Sequence, residues 1–325
     1  MDTAIEIRGV RKTFGDTVAV DDLTLDIEKG GICGFIGPNG AGKTTTIRMI
    51  MSILFPDAGR LSVLGRPSAL DAKDQIGYLP EERGVYKKMK VGAFVKYMAQ
   101  LKGVDDVNLD SRISEALERV GLPGIERKRC DELSKGMSQK VQFVTTILHQ
   151  PDLLILDEPF SGLDPVSMRS LRDLILSEHE RGATILFSTH VMPQAEEICE
   201  HVVMIYQGRK VLDESIGSIR RQYDPRALLF EPLDPDAAVG SLESLDSVEQ
   251  VRPKDGAWEV RLTDGSDPSR TMRQILDTIP AARIELSRPR LEDIFIKLVA
   301  EGSSTADEER LRAELQQADI DGAAS

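Results

Sequence analysis

The chain has 325 residues, 29% of them charged and 41% hydrophobic, which suits one large globular domain with room for a smaller one. A formal net charge of −13 argues against a nucleic-acid binder, whose footprint is basic, so anionic ligands have to be caught by local groups. No window approaches the roughly 18 apolar residues of a membrane span, and the start MDTAIEIRGV has neither the basic end nor the apolar core of a secretion signal, so a cytoplasmic place is expected.

Taken in chain order, TAIEIRGV and LTLDIEKG alternate apolar and polar residues and predict an antiparallel edge region. GGICGFIG then runs as a buried strand into GPNGAGKT, and KTTTIRMIMSIL continues as a helix. That loop fits the G-x-x-x-x-G-K-[ST] pattern. From Gly37 through Pro38, Asn39, Gly40, Ala41 and Gly42 it can curl backbone N–H groups round a β-phosphate. Lys43 can reach the β- and γ-phosphates, and the Thr44 hydroxyl, followed by Thr45, can bind Mg²⁺. A glycine-rich turn before an ordinary helix is the competing reading, and the strand and helix on either side weigh against it. Cys33, Cys130 and Cys199 have neither paired nor metal-ligand spacing and read as reduced thiols.

Further along, VGAFVKYMAQLKG and NLDSRISEALERVGL predict helices, the second with Asn108 as its cap, forming an insert between sheet segments. LSKGMSQKVQF opens another helix near Ser134 and Gly136, an end whose free N–H groups favour a phosphate although no phosphate loop belongs to it. A capped helix with a surface lysine is the plainer alternative. DLLILDEP is a strand that delivers Asp157 to hold Mg²⁺, directly or through water, and Glu158 to activate the attacking water. ATILFSTH is a parallel strand ending at His190, HVVMIYQGRKVLDE a hairpin turning at Gly208, and SIGSIRRQY a closing helix.

Composition changes after Asp224. RALLFEP, SVEQVRP, AWEVRL and RIELS read as strands, KDG as a turn and SRTMRQILDTI as a helix, in a split βαββαβ arrangement. The expected domains are therefore 1–223, 224–300 and a polar tail, helical or disordered, over 301–325.

Read in order over roughly residues 4 to 220, this motif set resembles the ATP-binding subunit of an ABC transporter. LSKGMSQK resembles the family's signature, SGLD from Ser161 to Asp164 its D-loop, and His190 its switch histidine. The signature departs from the usual LSGGQ, with Lys135 at the first glycine position and Met137 at the glutamine position. Glu81 stands where the family has a glutamine facing the γ-phosphate and the metal; a solvated loop residue is the alternative. Phe14 stands where an aromatic stacks on adenine, and ordinary core packing stays equally open. RLEDIFIKLV resembles the end of the sodium and drug efflux branch.

The resemblance implies the α/β fold of a P-loop NTPase, an ABC ATPase domain with antiparallel edge region, parallel core sheet and helical insert, plus a small α+β C-terminal domain. It implies ATP and Mg²⁺, with His190 on the γ-phosphate, and a second copy of the chain or a paralogous ATPase subunit. In that pair the signature residues Ser134 and Gly136, with Asp164, close over the partner's ATP. Membrane-spanning permease subunits would dock on the insert, about Glu82 to Glu132, placing the chain on the inner face of the cell membrane, and export is the expected direction. The alternative is a non-transport ABC ATPase acting on ribosomes or DNA, and a third reading is a module using ATP only as a clamp, against which Glu158 argues.

Overall fold

The computed structural model describes residues 2–82, 84–105, 107–223, 226–254, 256–287 and 290–300. The expected linker at Asp224 and Pro225 and the expected tail over 301–325 lie outside the described residues. Contacts divide the chain into two compact units, Met1–Ile216 with the stretch from Phe295, and Gly217–Ile294.

The first unit begins with a long hairpin, β1 (Thr3–Phe14) and β2 (Thr17–Glu28). In β2, Leu23, Leu25 and Ile27 are buried while Thr24, Asp26 and Glu28 are exposed, the period of a strand with one wet face. β3 (Ile32–Ile36) is buried throughout and leads through the glycine loop into α1 (Lys43–Ile50). β4 (Ala58–Val63) pairs antiparallel with β1, so the edge sheet has the order β2-β1-β4. After β5 (Ile76–Leu79) come α2 (Val91–Leu101) and α3 (Leu109–Arg119). Their buried stripes, Val91, Phe94, Val95 with Ala99 and Leu109, Ile113, Ala116 with Leu117, follow helical spacing. Asn108 precedes α3 but does not cap it as expected: its backbone is left-handed, φ 59°, and its side chain makes no capping bond.

The main sheet is completed by β6 (Leu153–Asp157), β7 (Thr184–Thr189), β8 (His201–Tyr206) and β9 (Arg209–Ser215), with α4 (Lys135–Ile147), α5 (Pro165–Glu180) and α6 (Met192–Ile198) between the strands and α7 (Ile216–Gln222) after them. Strand order is β5-β6-β7-β3-β8-β9, parallel except for β9. Gln207 and Gly208, with φ 48° and 78°, make the tight β8–β9 turn, a backbone shape that favours glycine. Because β3 and β6 both border β7, the chain ends that follow Ile36, Leu156 and Thr189 emerge side by side. A parallel sheet gathers its ligand groups at that edge.

The second unit holds β10 (Ala227–Pro232), β11 (Val248–Lys254), β12 (Ala257–Leu262), α8 (Pro268–Thr278) and β13 (Ala281–Leu286); α9 (Leu291–Ala300) follows. Its sheet is antiparallel throughout, in the order β11-β12-β10-β13. β10 and β11 flank β12 and so run parallel to each other, the split arrangement that the strand pattern predicts, but only a short 3₁₀ segment, Val239–Ser244, stands where the first helix was expected. Leu228, Phe230, Leu242, Val260 and Ile275 form its own core. Among the described residues no helix is long and apolar enough to cross a membrane. All three cysteines are free and buried, and burial pushes the Cys33 thiol up to about 12.

Candidate functional site

The loop after β3 is shaped by contacts that exclude side chains. A Cβ on Gly37 would collide with Ile205 O, and one on Gly42, where φ is 104°, with Ala19 O. Ala41 N donates to Pro38 O at 3.1 Å, and Gly208 N in the β8–β9 turn donates to Ala41 O at 2.9 Å, bracing the loop from outside. Gly42 sits at the cap position of α1 without a side chain to satisfy its first N–H groups. Such a helix start carries partial positive charge and suits an anion. Lys43 is only 5% exposed, and its Nζ donates to Gly37 O at 2.7 Å and Pro38 O at 3.3 Å. Burial lowers its pKa, while the charges of Glu158 and Asp157 work in the other direction.

β6 delivers the acidic partners. Asp157 Oδ1 accepts from the Ser188 hydroxyl on β7 and, at 3.5 Å, from the Thr44 hydroxyl. Asp157 Oδ2 is buried with no hydrogen-bond partner among the described residues. Burial raises this carboxyl, the Ser188 bond opposes that rise, and the neighbouring Glu158 adds to it. An orphaned buried carboxylate oxygen is costly to fold. Beside a threonine hydroxyl and a phosphate-binding loop, it fits a hard divalent cation such as Mg²⁺, which takes one or two protein oxygens and completes its shell with water and phosphate. No group of three or more His, Cys, Asp or Glu able to hold a metal occurs among the described residues.

Glu158 is buried and has φ 49°, the left-handed region that non-glycine residues seldom occupy. Its N–H donates to Ser188 O at 3.1 Å, which holds the backbone there. Its Oε1 accepts from His190 Nδ1 at 2.8 Å and lies 3.6 Å from Lys43 Nζ. Glu81 follows β5 and is exposed, yet its carboxyl is raised by partial burial and by the charges of Asp157 and Glu158, with Lys43 and His190 opposing. These neighbours bring it into the same electrostatic cluster as Lys43, Asp157, Glu158 and His190.

Phe14 is 47% exposed, with Lys12 Nζ 5.6 Å from its ring centre, so the core-packing reading does not hold. Ser134, Gly136 and Asp164 form a second group. Ser134 Oγ accepts from Met137 N at 3.2 Å and caps α4; Asp164 caps α5 by accepting from Val166 N and Ser167 N, both at 3.0 Å. The Ser167 bonds hold the Asp164 carboxyl below its usual range. Among the described residues this group shares no hydrogen bond or ion pair with Lys43, Thr44 or Asp157. Sequence reasoning missed Ser188, a polar residue fully buried in the apolar strand TILFST; its pairing with Asp157 across β6 and β7 explains it.

A family model described as ABC transporter matches residues 20–161, and one described as the C-terminal domain of DrrA1-3-like ATP-binding proteins matches residues 215–299. An uncharacterized ABC transporter ATP-binding protein, YhaQ of Bacillus subtilis (strain 168), is 38% identical over 295 residues, 91% of this chain and 98% of the relative. The bacitracin transport ATP-binding protein BcrA of Bacillus licheniformis is 33% identical over 308 residues, 93% of this chain and 99% of the relative. A solved ATP binding subunit of an ABC transporter superposes with a TM-score of 0.63 at 31% identity, covering 68% of this chain and 93% of that one.

Proposed function

Since the chain belongs to the ABC transporter ATP-binding family and is an ATP-hydrolysing transporter subunit, we propose that two such subunits, paired head to tail, drive the membrane subunits of an exporter. Its likeness to a bacitracin transport protein supports transport and leaves a ribosome- or DNA-directed ATPase without support. The chain sits on the inner face of the membrane through its permease, which docks on the insert carrying α2 and α3.

In this reading the N–H groups from Gly37 to Thr45 and the Lys43 ammonium receive the β- and γ-phosphates. Thr44 and Asp157 would hold Mg²⁺, with Glu81 as the third metal-facing residue. Bound there, the ion supplies charge neutralisation on the phosphate oxygens. Glu158 takes a proton from the attacking water, and the His190 bond at Oε1 leaves its other carboxylate oxygen to do so. His190 then donates to the γ-phosphate, and Phe14 stacks on adenine. Ser134 and Gly136 close over the nucleotide of the opposite subunit, whose loop meets the start of α4, with Asp164 beside them.

The observation that carries this reading is Glu158, held in a left-handed backbone between Lys43 and His190. Glu158→Gln keeps the shape and removes the base. Phosphate release should fall at least about 100-fold while ATP titration of the purified protein stays within a few-fold. Turnover close to that of the unmodified chain would remove Glu158 from this role.

A further inference from the structure

A positive charge at the first position of a helix opposes the partial charge of the unpaired N–H groups, yet Lys135 opens α4 with no acidic residue in its first turn. The fold gives the side chain a seat. At Gly162, where φ is 64°, a Cβ would fall on the Lys135 ammonium, so the absent side chain leaves the space that the lysine fills. Two more contacts lie along the same part of α4. A Cβ on Gly136 would lie 3.1 Å from Ser167 Oγ and 3.6 Å from Leu163 Cδ2, and the buried Gln139 amide donates to Pro159 O. Positions 135 and 139 are one turn apart and share a helix face. The start of α4 therefore rests on the chain that begins directly after Glu158.

We propose that Lys135, seated in the notch at Gly162, is a positioning residue that holds Ser161–Asp164 against α4 and so keeps the turn after Glu158 in place. The proposal rests on the reading of Glu158 as the base. Ser161 N donates to Glu158 O and Leu163 N to Phe160 O, both at 3.2 Å, so the turn after Glu158 is short and tied back on itself. Gln139 anchors its near end through Pro159, and Lys135 anchors its far end. Loss of the far anchor lets the turn shift, and a displacement of about 1 Å at a reacting group can cost about 100-fold in rate. The effect falls on turnover rather than on ATP affinity.

A double-mutant cycle on the full chain tests this, using Lys135→Ala, Gly162→Ala and the two combined. The readouts are kcat, the KM for ATP with Mg²⁺, and the urea midpoint. Each single change should lower kcat about tenfold with KM within about twofold, and the double should be no worse than the poorer single, because neighbours in contact are not additive. Backbone strain from a side chain at φ 64° is common to both backgrounds and cancels. Factors that multiply in the double would overturn the proposal. So would unchanged kcat in Lys135→Ala, or a rise in KM alone, which would put the lysine on the nucleotide instead. The urea midpoints read the same pair without ATP, where non-additive shifts support the contact and additive shifts overturn it. A chain whose midpoints couple but which hydrolyses no ATP would overturn the reading of Glu158 while leaving the contact standing.

Discussion

Glu158 and Asp157 are neighbours in sequence with opposite needs. Asp157 faces inward with an unpartnered oxygen, while Glu158 leaves the strand in a left-handed conformation and turns toward Lys43 and His190. The carboxylate pair was legible in LLILDE because an apolar strand ending in acids has few other uses beside a phosphate loop. Ser188 was not legible, since a single serine in a buried strand gives no sign of which neighbour it will face. It makes a specific prediction: Ser188→Ala removes a hydroxyl bond that orients Asp157. Support of this kind to a metal-binding group is worth about 10- to 100-fold in affinity, so the Mg²⁺ concentration for half-maximal hydrolysis should rise about tenfold or more. An unchanged Mg²⁺ titration in folded protein would show that the Ser188 bond has no bearing on Mg²⁺ use. His149 makes a second prediction. Burial, helped by the Lys102 charge, lowers its imidazole from 6.5 to about 4, and Nδ1 has no hydrogen-bond partner among the described residues. Between those two values the unfolded chain binds the proton and the folded chain does not, so this residue's contribution lowers stability as pH falls through that window. His149→Gln should flatten the loss of urea midpoint between pH about 6.5 and about 4; an equally steep loss would assign it to other groups.

At the scale of elements, the long hairpin, the strand-loop-helix unit and the alternation of β6 and β7 with helices were all legible, because their apolar periods are strong. β4 was not. AGRLSV offers only Leu61 and Val63 as large apolar residues, and its register comes from pairing with β1 rather than from its own pattern. α5 carries a start signal, Asp164 before Pro165, that is readable only once SGLD is taken as a helix cap as well as a motif. On the insert, α2 buries Phe94 and leaves Tyr97 41% exposed, with Tyr86 beside it, 54% exposed, the two rings 5.9 Å apart and edge-on. Aromatic side chains on an open face suit a protein interface. Combining Tyr86→Ala with Tyr97→Ala should leave the ATPase rate of the isolated subunit within about twofold and weaken its co-purification with the permease, since each exposed aromatic is worth about 1 kcal/mol or more only when a partner covers it. Undiminished co-purification would show that these two rings are not the permease contact.

At the scale of the whole molecule, the order of motifs made the ATPase unit legible, and the strand pattern after Asp224 anticipated a second sheet with its own core. What one sequence could not display is the arrangement of two chains. Lys43, Thr44, Asp157, Glu158 and His190 assemble around one loop, whereas Ser134, Gly136 and Asp164 belong to helix starts that share no bond with Lys43, Thr44 or Asp157 among the described residues. Two half-sites in one chain make sense if each is completed by another copy. The direct measurement is ATP-dependent trapping of differently tagged chains, one carrying Lys43→Ala and the other Gly136→Asp, with circular dichroism to establish that both are folded. The first lacks a working phosphate loop, and the second presents a carboxylate to the γ-phosphate. Neither alone should trap ATP in a closed pair. Mixed, the sound loop of the Gly136→Asp chain meets the sound signature of the Lys43→Ala chain, so the account predicts trapped ATP only in the mixture. Two folded mutants that trap nothing when mixed, or either one trapping ATP on its own, would contradict it.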